Sequence, residues 1–371
     1  MDFASVIIIQ EKMVNDSNLI ELSSRKKEID VSIIVPTYNT PINAFQRCMN
    51  SITNQSYHNI EIIVIDDGSD NERSAEYREI CSQDNRTKYI KTCNQGVSSA
   101  RNTGVNIATG KYVSFSDADD TLEIDFVCQA FSYAQKYCAD IVIGQILYEP
   151  KAAYNEQFIP SLLFSENPDE ALEYMFYMEK FPPFRILGSP CGRLYKTEIA
   201  KTIMFDSSIK YFEDQIYNRE FICASKRIVL VPEYWYTYYQ NNYSAMHRSY
   251  KKWNQMESLI NYWNKWEDLN DKETDQKRRI RLSKRNMGFY FDAIQEGVLA
   301  GEKYSRSKML YLLNQYAFTN AMKYVKYRDY YRLQNRIKYL FLKTKSTLLV
   351  YLYIRMRIKY KNYIKVLSWQ F

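Results

Sequence analysis

The stretch Gly110–Glu123, GKYVSFSDADDTLE, decides the fold. A short apolar run, Tyr112 to Phe115, stops abruptly at three carboxylates, Asp117, Asp119 and Asp120. In an open α/β sheet, ligands sit just beyond the carboxyl ends of the strands, so a strand that ends in acids reads as one wall of a site. Asp117 and Asp119, two residues apart, can both reach one hard divalent cation or its bound phosphates. A polar turn leading into a helix cap would use the same letters, and Asp-x-Asp alone does not separate the two readings.

The flanking sequence repeats the pattern. Val31–Val35, VSIIV, is a continuous β-branched run, read as a buried parallel strand. It stops at Pro36, Thr37, Tyr38 and Asn39. Pro41 suits a helix start, and Phe45, Cys48, Met49 and Ile52 give that helix one apolar stripe. A second strand, Ile60–Ile65, ends in Asp66, Asp67, Gly68 and Ser69. A weak strand near Tyr89–Ile90 follows, then a helix over Gly96–Ile107, the strand Tyr112–Phe115, a helix over 123–138 and a strand at Ile141–Ile143. This alternation predicts an α/β, Rossmann-like, doubly wound and mostly parallel sheet with right-handed crossovers. Three strands then end in polar clusters on one sheet edge, which favours a site over three unrelated turns.

Further along, 150–185 is less regular, with an amphipathic segment at Ala171–Met178. Ser189–Tyr195, SPCGRLY, reads as a turn into a short strand. A helix runs from Tyr211 through Cys223 and carries Glu213 and Asp214 at its start, where a capping role is the ordinary one. Strands Ile228–Val231 and Tyr234–Tyr239 come next. Past about 250, Gly and Pro nearly vanish and polar helical patterns run on. The expected organisation is a lead-in at 1–29, an α/β domain at 30–249 divided near 120, and a helical region at 250–371.

Composition narrows the class. The 371 residues, 46% hydrophobic, describe a globular chain of about two domains. Seven scattered cysteines form no C-x-x-C pair, which argues against a zinc site or a disulfide framework and for a reducing, cytoplasmic compartment. No apolar run reaches about 18 residues, so no spanning helix is expected. The net charge of +7 is uneven: 321–371 holds eight Lys, five Arg and one Asp, a surplus of +12, leaving −5 on the first 320 residues. Basic residues mixed with Tyr, Leu, Ile and Trp suit a helix on an anionic membrane surface. A packed cap or an oligomerisation helix is the other reading. The acidic body and the lack of a nucleic-acid motif argue against nucleic acid.

Four segments, VSIIVPTYNT at 31–40, EIIVIDDGSDN at 61–71, NQGVSSARNTGVNIATGKYVSFSDADD at 94–120 and YFEDQ at 211–215, together resemble the family 2 glycosyltransferases of the GT-A fold. These are bacterial enzymes of capsule, exopolysaccharide, O-antigen or teichoic-acid synthesis. The resemblance covers about 31–248. It implies an inverting, metal-dependent transfer from a nucleotide-sugar, most naturally UDP-linked, to a saccharide or a polyprenyl-diphosphate-linked acceptor. Pro36, Thr37, Tyr38 and Asp67 (or Asp66) would hold the nucleobase, and Gly96, Arg101 and Asp117 the rest of the donor. Asp119 would bind Mg²⁺ or Mn²⁺, and His247 is a second candidate ligand, in a segment that departs from the stricter family pattern with Asn241 and Asn242. Asp214 would be the base, with Glu213 beside it, and Asp120 a supporting or capping acid. A non-catalytic, membrane-associated scaffold with a degenerate fold is the alternative. A nucleotidyltransferase is disfavoured, because PTYNTPINAF lacks a Gly-rich basic loop.

Overall fold

The computed structural model describes residues 28–150, 161–168, 170–172, 189–210, 212–240, 256–273, 275–299, 306–330 and 333–367. The β-branched runs become β1 (Val31–Thr37) and β2 (Ile60–Asp66), each buried along its whole length. Burial on both faces is why neither strand alternates in polarity. Between them, α1 (Ile42–Thr53) buries Phe45, Cys48, Met49 and Ile52, the expected stripe, with Pro41 as its N-cap. Next come α2 (Asn71–Cys81), β3 (Thr87–Lys91), α3 (Val97–Ile107) and β4 (Tyr112–Phe115). Gly104 lets α3 lie directly on β1, since a Cβ there would come 2.4 Å from Ile34 Cγ2.

The chain continues through β5 (Thr121–Leu122), α4 (Phe126–Tyr137), β6 (Ile141–Glu149), β7 (Leu163–Ser165), β8 (Arg193–Lys196), α5 (Thr197–Ala200), α6 (Glu213–Ala224) and β9 (Ile228–Tyr239). The described strands form one nine-stranded sheet, ordered β3-β2-β1-β4-β8-β6-β9-β5, with β7 also on β9. The pairs among β1 to β4 are parallel. Beyond them the sheet is mixed, because β8 inserts antiparallel between β4 and β6. The two strands expected at 228–231 and 234–239 are one. Pro232 breaks the pattern in sequence, but β9 runs on past it, with its register against β6 shifting around Gly144 and Gln145. Gln145 Nε2 donates to the Pro232 carbonyl at 2.6 Å.

The helical region packs on this body. Its elements are α7 (Met256–Asp271), α8 (Gln276–Leu299), α9 (Arg306–Leu313), α10 (Tyr316–Tyr324), α11 (Leu333–Lys343) and α12 (Thr347–Leu367). The Tyr262 hydroxyl of α7 donates to Gln215 of α6 at 2.8 Å. Arg219 of α6 donates to Asn270 Oδ1 at 2.8 Å and lies over the Trp266 ring. The helix that carries Glu213 and Asp214 is thus held from behind by α7. The amphipathic segment expected at 171–178 lies largely outside the described residues.

Candidate active site

Three parallel strands deliver their carboxyl ends to one edge. The β1 and β2 ends are tied together, since the Asp67 amide donates to the Thr37 carbonyl at 2.8 Å. The two acids after β2 take different work. Asp66 is fully buried and accepts from the Ser69 amide, the Ser74 hydroxyl and the Tyr89 hydroxyl. Burial opposes its ionisation, but those donors hold its pKa below the ordinary value. Asp67 points instead across the edge, accepting the amides of Gln95 at 2.9 Å and Gly96 at 2.8 Å. Gly96, at φ +93, is the N-cap of α3 and turns the chain into it. Pro36 and Thr37 are buried within β1, whereas Tyr38 just beyond it is 53% exposed. That ring is the accessible aromatic surface at the β1 end.

Arg101 is the link between halves. It lies buried on α3, not on the helix surface. Its Nη2 donates to Asp117 Oδ1 at 2.9 Å and its Nη1 to Glu213 Oε1 at 3.0 Å. The end of β4 and the start of α6, 96 residues apart in sequence numbering from Asp117 to Glu213, meet on one guanidinium.

Asp214 is the second residue of α6, whose N-cap is Phe212 in the left-handed region at φ 65. The capping role is therefore not Asp214's. Its Oδ1 accepts from the Gln215 amide at 2.8 Å, and its Oδ2 has no partner among the described residues. Burial, and then the like charge of Glu213, push its pKa well above the ordinary carboxylate value. Burial raises Glu213 as well, against the pull of Arg101. The neighbouring acids differ in one respect: among the described residues, Glu213 has a cation bonded to it and Asp214 does not.

Asp117 and Asp119 are half-buried at the edge, and Asp120 is buried. Asp120 is a supporting acid: it accepts from the Tyr236 hydroxyl and, at 2.8 Å, from the Tyr239 amide, both on β9. Burial and the nearby Asp119 and Asp117 push its pKa well up. Sequence reasoning missed two residues here. Tyr236 also accepts from the Asp117 amide at 3.2 Å, and so holds the turn from both sides. Arg47 of α1 donates to the Asp119 carbonyl at 2.6 Å and stacks 3.8 Å over the Tyr239 ring. Neither belongs to a local motif, so no spacing signal marked them. Away from the acidic turn, Arg193 on β8 is 1% exposed, and none of its guanidinium nitrogens has a hydrogen-bond partner among the described residues. His247 lies outside the described residues.

Among the described residues there is no cluster of three or more His, Cys, Asp or Glu side chains able to hold a metal. The donor set still fits a cation of the Mg²⁺ type, which takes one or two carboxylates and completes its shell with substrate phosphate and water. Asp119, with Asp117 near it, offers that much.

Residues 32–202 match the sequence profile of "Glycosyl transferase family 2". This segment is a family 2 glycosyltransferase domain. Its relatives include glycosyltransferase GlyA of Streptococcus pneumoniae serotype 4, 31% identical over 212 residues, which are 56% of this chain and 30% of GlyA. The uncharacterized glycosyltransferase EpsJ of Bacillus subtilis is 30% identical over 225 residues, 60% of this chain and 64% of EpsJ. A poly(ribitol-phosphate) beta-glucosyltransferase of Bacillus spizizenii is 27% identical over 217 residues, 56% of this chain and 32% of that protein. The chain thus spans from about a third to two thirds of these relatives' lengths. The crystal structure of S. aureus TarS 1-349 superposes with a TM-score of 0.67 at 15% identity, covering 89% of this chain and 92% of that one. TarS 1-349 has also been crystallised in complex with UDP-GlcNAc. At that identity the likeness concerns the fold alone: a GT-A type α/β sheet followed by a helical C-terminal region.

Proposed function

We propose that the chain is an inverting glycosyltransferase that moves a sugar from a UDP-linked donor to a hydroxyl of a glycan or a polyprenyl-diphosphate-linked acceptor, in synthesis of a cell-surface polysaccharide. The observation that carries this reading is the Asp117–Arg101–Glu213 bridge with Asp214 beside it. Inverting transfer needs a carboxylate on the acceptor side, able to take a proton from the attacking hydroxyl. Asp214 Oδ2 is the oxygen for that proton. Burial and the Glu213 charge strengthen it as a base, while Arg101 pulls the pKa of Glu213 down against its burial. Arg101 also fixes the base relative to Asp117, so donor and acceptor sides keep one spacing.

In this reading Tyr38 packs against the nucleobase, Asp67 accepts from it, and Asp67 with Gly96 sets the loop that borders the donor. Asp119 would hold Mg²⁺ or Mn²⁺, with His247 as a second candidate. That cation, when bound, would neutralise charge on the departing nucleoside diphosphate. The catalytic unit is 30–249, with a donor half to 120 and an acceptor half beyond it, and 250–371 supports it. The UDP-GlcNAc complex of TarS and the poly(ribitol-phosphate) beta-glucosyltransferase relative support this donor and acceptor class. The protein would work on the cytoplasmic side of the membrane.

The test is nucleoside-diphosphate release from UDP-, GDP- and TDP-sugars, with and without Mn²⁺. Turnover with a UDP-sugar, lost by roughly 10²–10⁴-fold in Asp214→Asn, is expected. No turnover with any donor, together with no nucleotide binding, would leave the scaffold reading standing.

A further inference from the structure

The last described helix inverts the usual rule for a solvent face. In α12, Leu348, Leu349, Leu352 and Met356 are 51%, 43%, 46% and 60% exposed, while Val350 and Ile354 are fully buried. At 3.6 residues per turn the four exposed apolar side chains and Arg355 fall within an arc of about 120°, opposite Val350 and Ile354. A single exposed leucine carries no information, but a stripe along one helix does. The preceding helix α11 packs on α12 through the stacked rings of Phe341 and Tyr353, 4.5 Å apart. It adds exposed Ile337 and Leu340. Lys343 at the end of α11 and Lys345 in the turn that follows are exposed, and Arg355 is exposed within the α12 stripe. The hairpin is thus anchored on one side by a packed core and offers water an apolar stripe set among cations.

No helix among the described residues is long and apolar enough to cross a membrane. A helix of this kind lies in the interface plane, with its apolar side among the acyl chains and its cations at the headgroups. We propose that the α11–α12 hairpin is a docking surface for an anionic lipid bilayer, with Leu348, Leu349, Leu352 and Met356 inserting and Lys343, Lys345 and Arg355 pairing with headgroup phosphates. Charge selects this occupant over a second copy of the chain. A two-fold interface would set the same three cations against themselves, within a region of net charge +12. An anionic surface answers both the stripe and its charge.

The test uses the full chain and does not depend on catalysis. Vesicles of phosphatidylcholine alone, and of phosphatidylcholine mixed with phosphatidylglycerol, are sedimented with wild type, with Leu348→Ser/Leu352→Ser and with Lys345→Glu/Arg355→Glu. All four positions are exposed, so both variants are expected to fold, and circular dichroism checks it. Wild type should sediment with the anionic vesicles and not with the neutral ones, and salt should release it. Each variant should lower the partition coefficient about tenfold or more. Failure to bind anionic vesicles, equal binding to both vesicle types, or unchanged binding by the leucine variant would overturn the proposal. So would a dimer, seen by light scattering without lipid, that the leucine variant dissociates.

Discussion

Replacing Glu213 by Gln should move the acid limb of the rate profile to lower pH. Asp214 acts as a base only when ionised, so turnover falls as pH drops through its pKa. That pKa stands above the ordinary carboxylate value, with burial the first cause and Glu213 the second. Gln keeps the shape of Glu213 and an amide oxygen for Arg101, but removes the like charge. Two unit charges about 6 Å apart at an effective dielectric of about 20 repel by about 2.8 kcal/mol, or about two pH units. Screening by water at the half-buried site reduces this, so a downward shift of about one to two units is the expected size. Removing Glu213 also frees Arg101 to act on Asp214, and this effect has the same sign. The assay is nucleoside-diphosphate release across a pH series at saturating donor, with Asp214→Asn as the profile that should lose the limb. A limb that stays in place in Glu213→Gln, or moves up, would refute the assignment of Asp214 as the titrating base.

Three further outcomes follow from other parts of the molecule. Asp119→Asn should weaken Mn²⁺-dependent UDP binding by about 10–100-fold in calorimetry, and equal affinity would remove Asp119 from the cation. Arg193→Met should leave stability to urea unchanged or raise it by about 1–3 kcal/mol, because it removes a buried charge with no hydrogen-bonded partner among the described residues; a clear loss would show that the guanidinium is compensated. Gly104→Ala should cost about 1–3 kcal/mol in the same unfolding assay, since its Cβ would sit 2.4 Å from Ile34 Cγ2; an unchanged midpoint would mean that α3 can back away from β1 freely.

Legibility followed the range of the interactions. The ends of β1, β2 and β4 could be read because β-branched runs stop at polar residues, a signal contained within a few positions. The stripe on α1 was equally local. The insertion of β8 between β4 and β6 was not legible, since nothing in RLYK specifies its neighbours or their direction. The continuity of β9 was hidden by Pro232, where pairing along the rest of the strand outweighs one missing amide donor. Among site residues, Asp117, Asp119 and Asp214 stood in short motifs. Arg101 was marked by its segment, yet its burial and its bond to Glu213 depend on a pairing 112 positions apart. Arg47 bonds a backbone carbonyl of the acidic turn, and Tyr236 bonds its Asp117 amide and its Asp120 carboxylate; no pattern of letters records such contacts. The exposed leucines of α12 looked in sequence like any apolar stripe, and only the packing of Val350 and Ile354 told which side faces out.

The Arg101 bridge also has a consequence for when the protein becomes competent. Its two carboxylate partners lie 96 positions apart, Asp117 and Glu213, so the bridge is complete only after Glu213 has been brought back to Arg101, 112 positions before it. Loops of that length make non-local contacts slow relative to local ones. A chain that has assembled β1 to β4 but not α6 has the nucleotide-facing edge in place, and carries a half-neutralised guanidinium in its interior. It has no base. The base side of the site and the hold of β9 on the acidic turn thus both depend on contacts between residues more than a hundred positions apart.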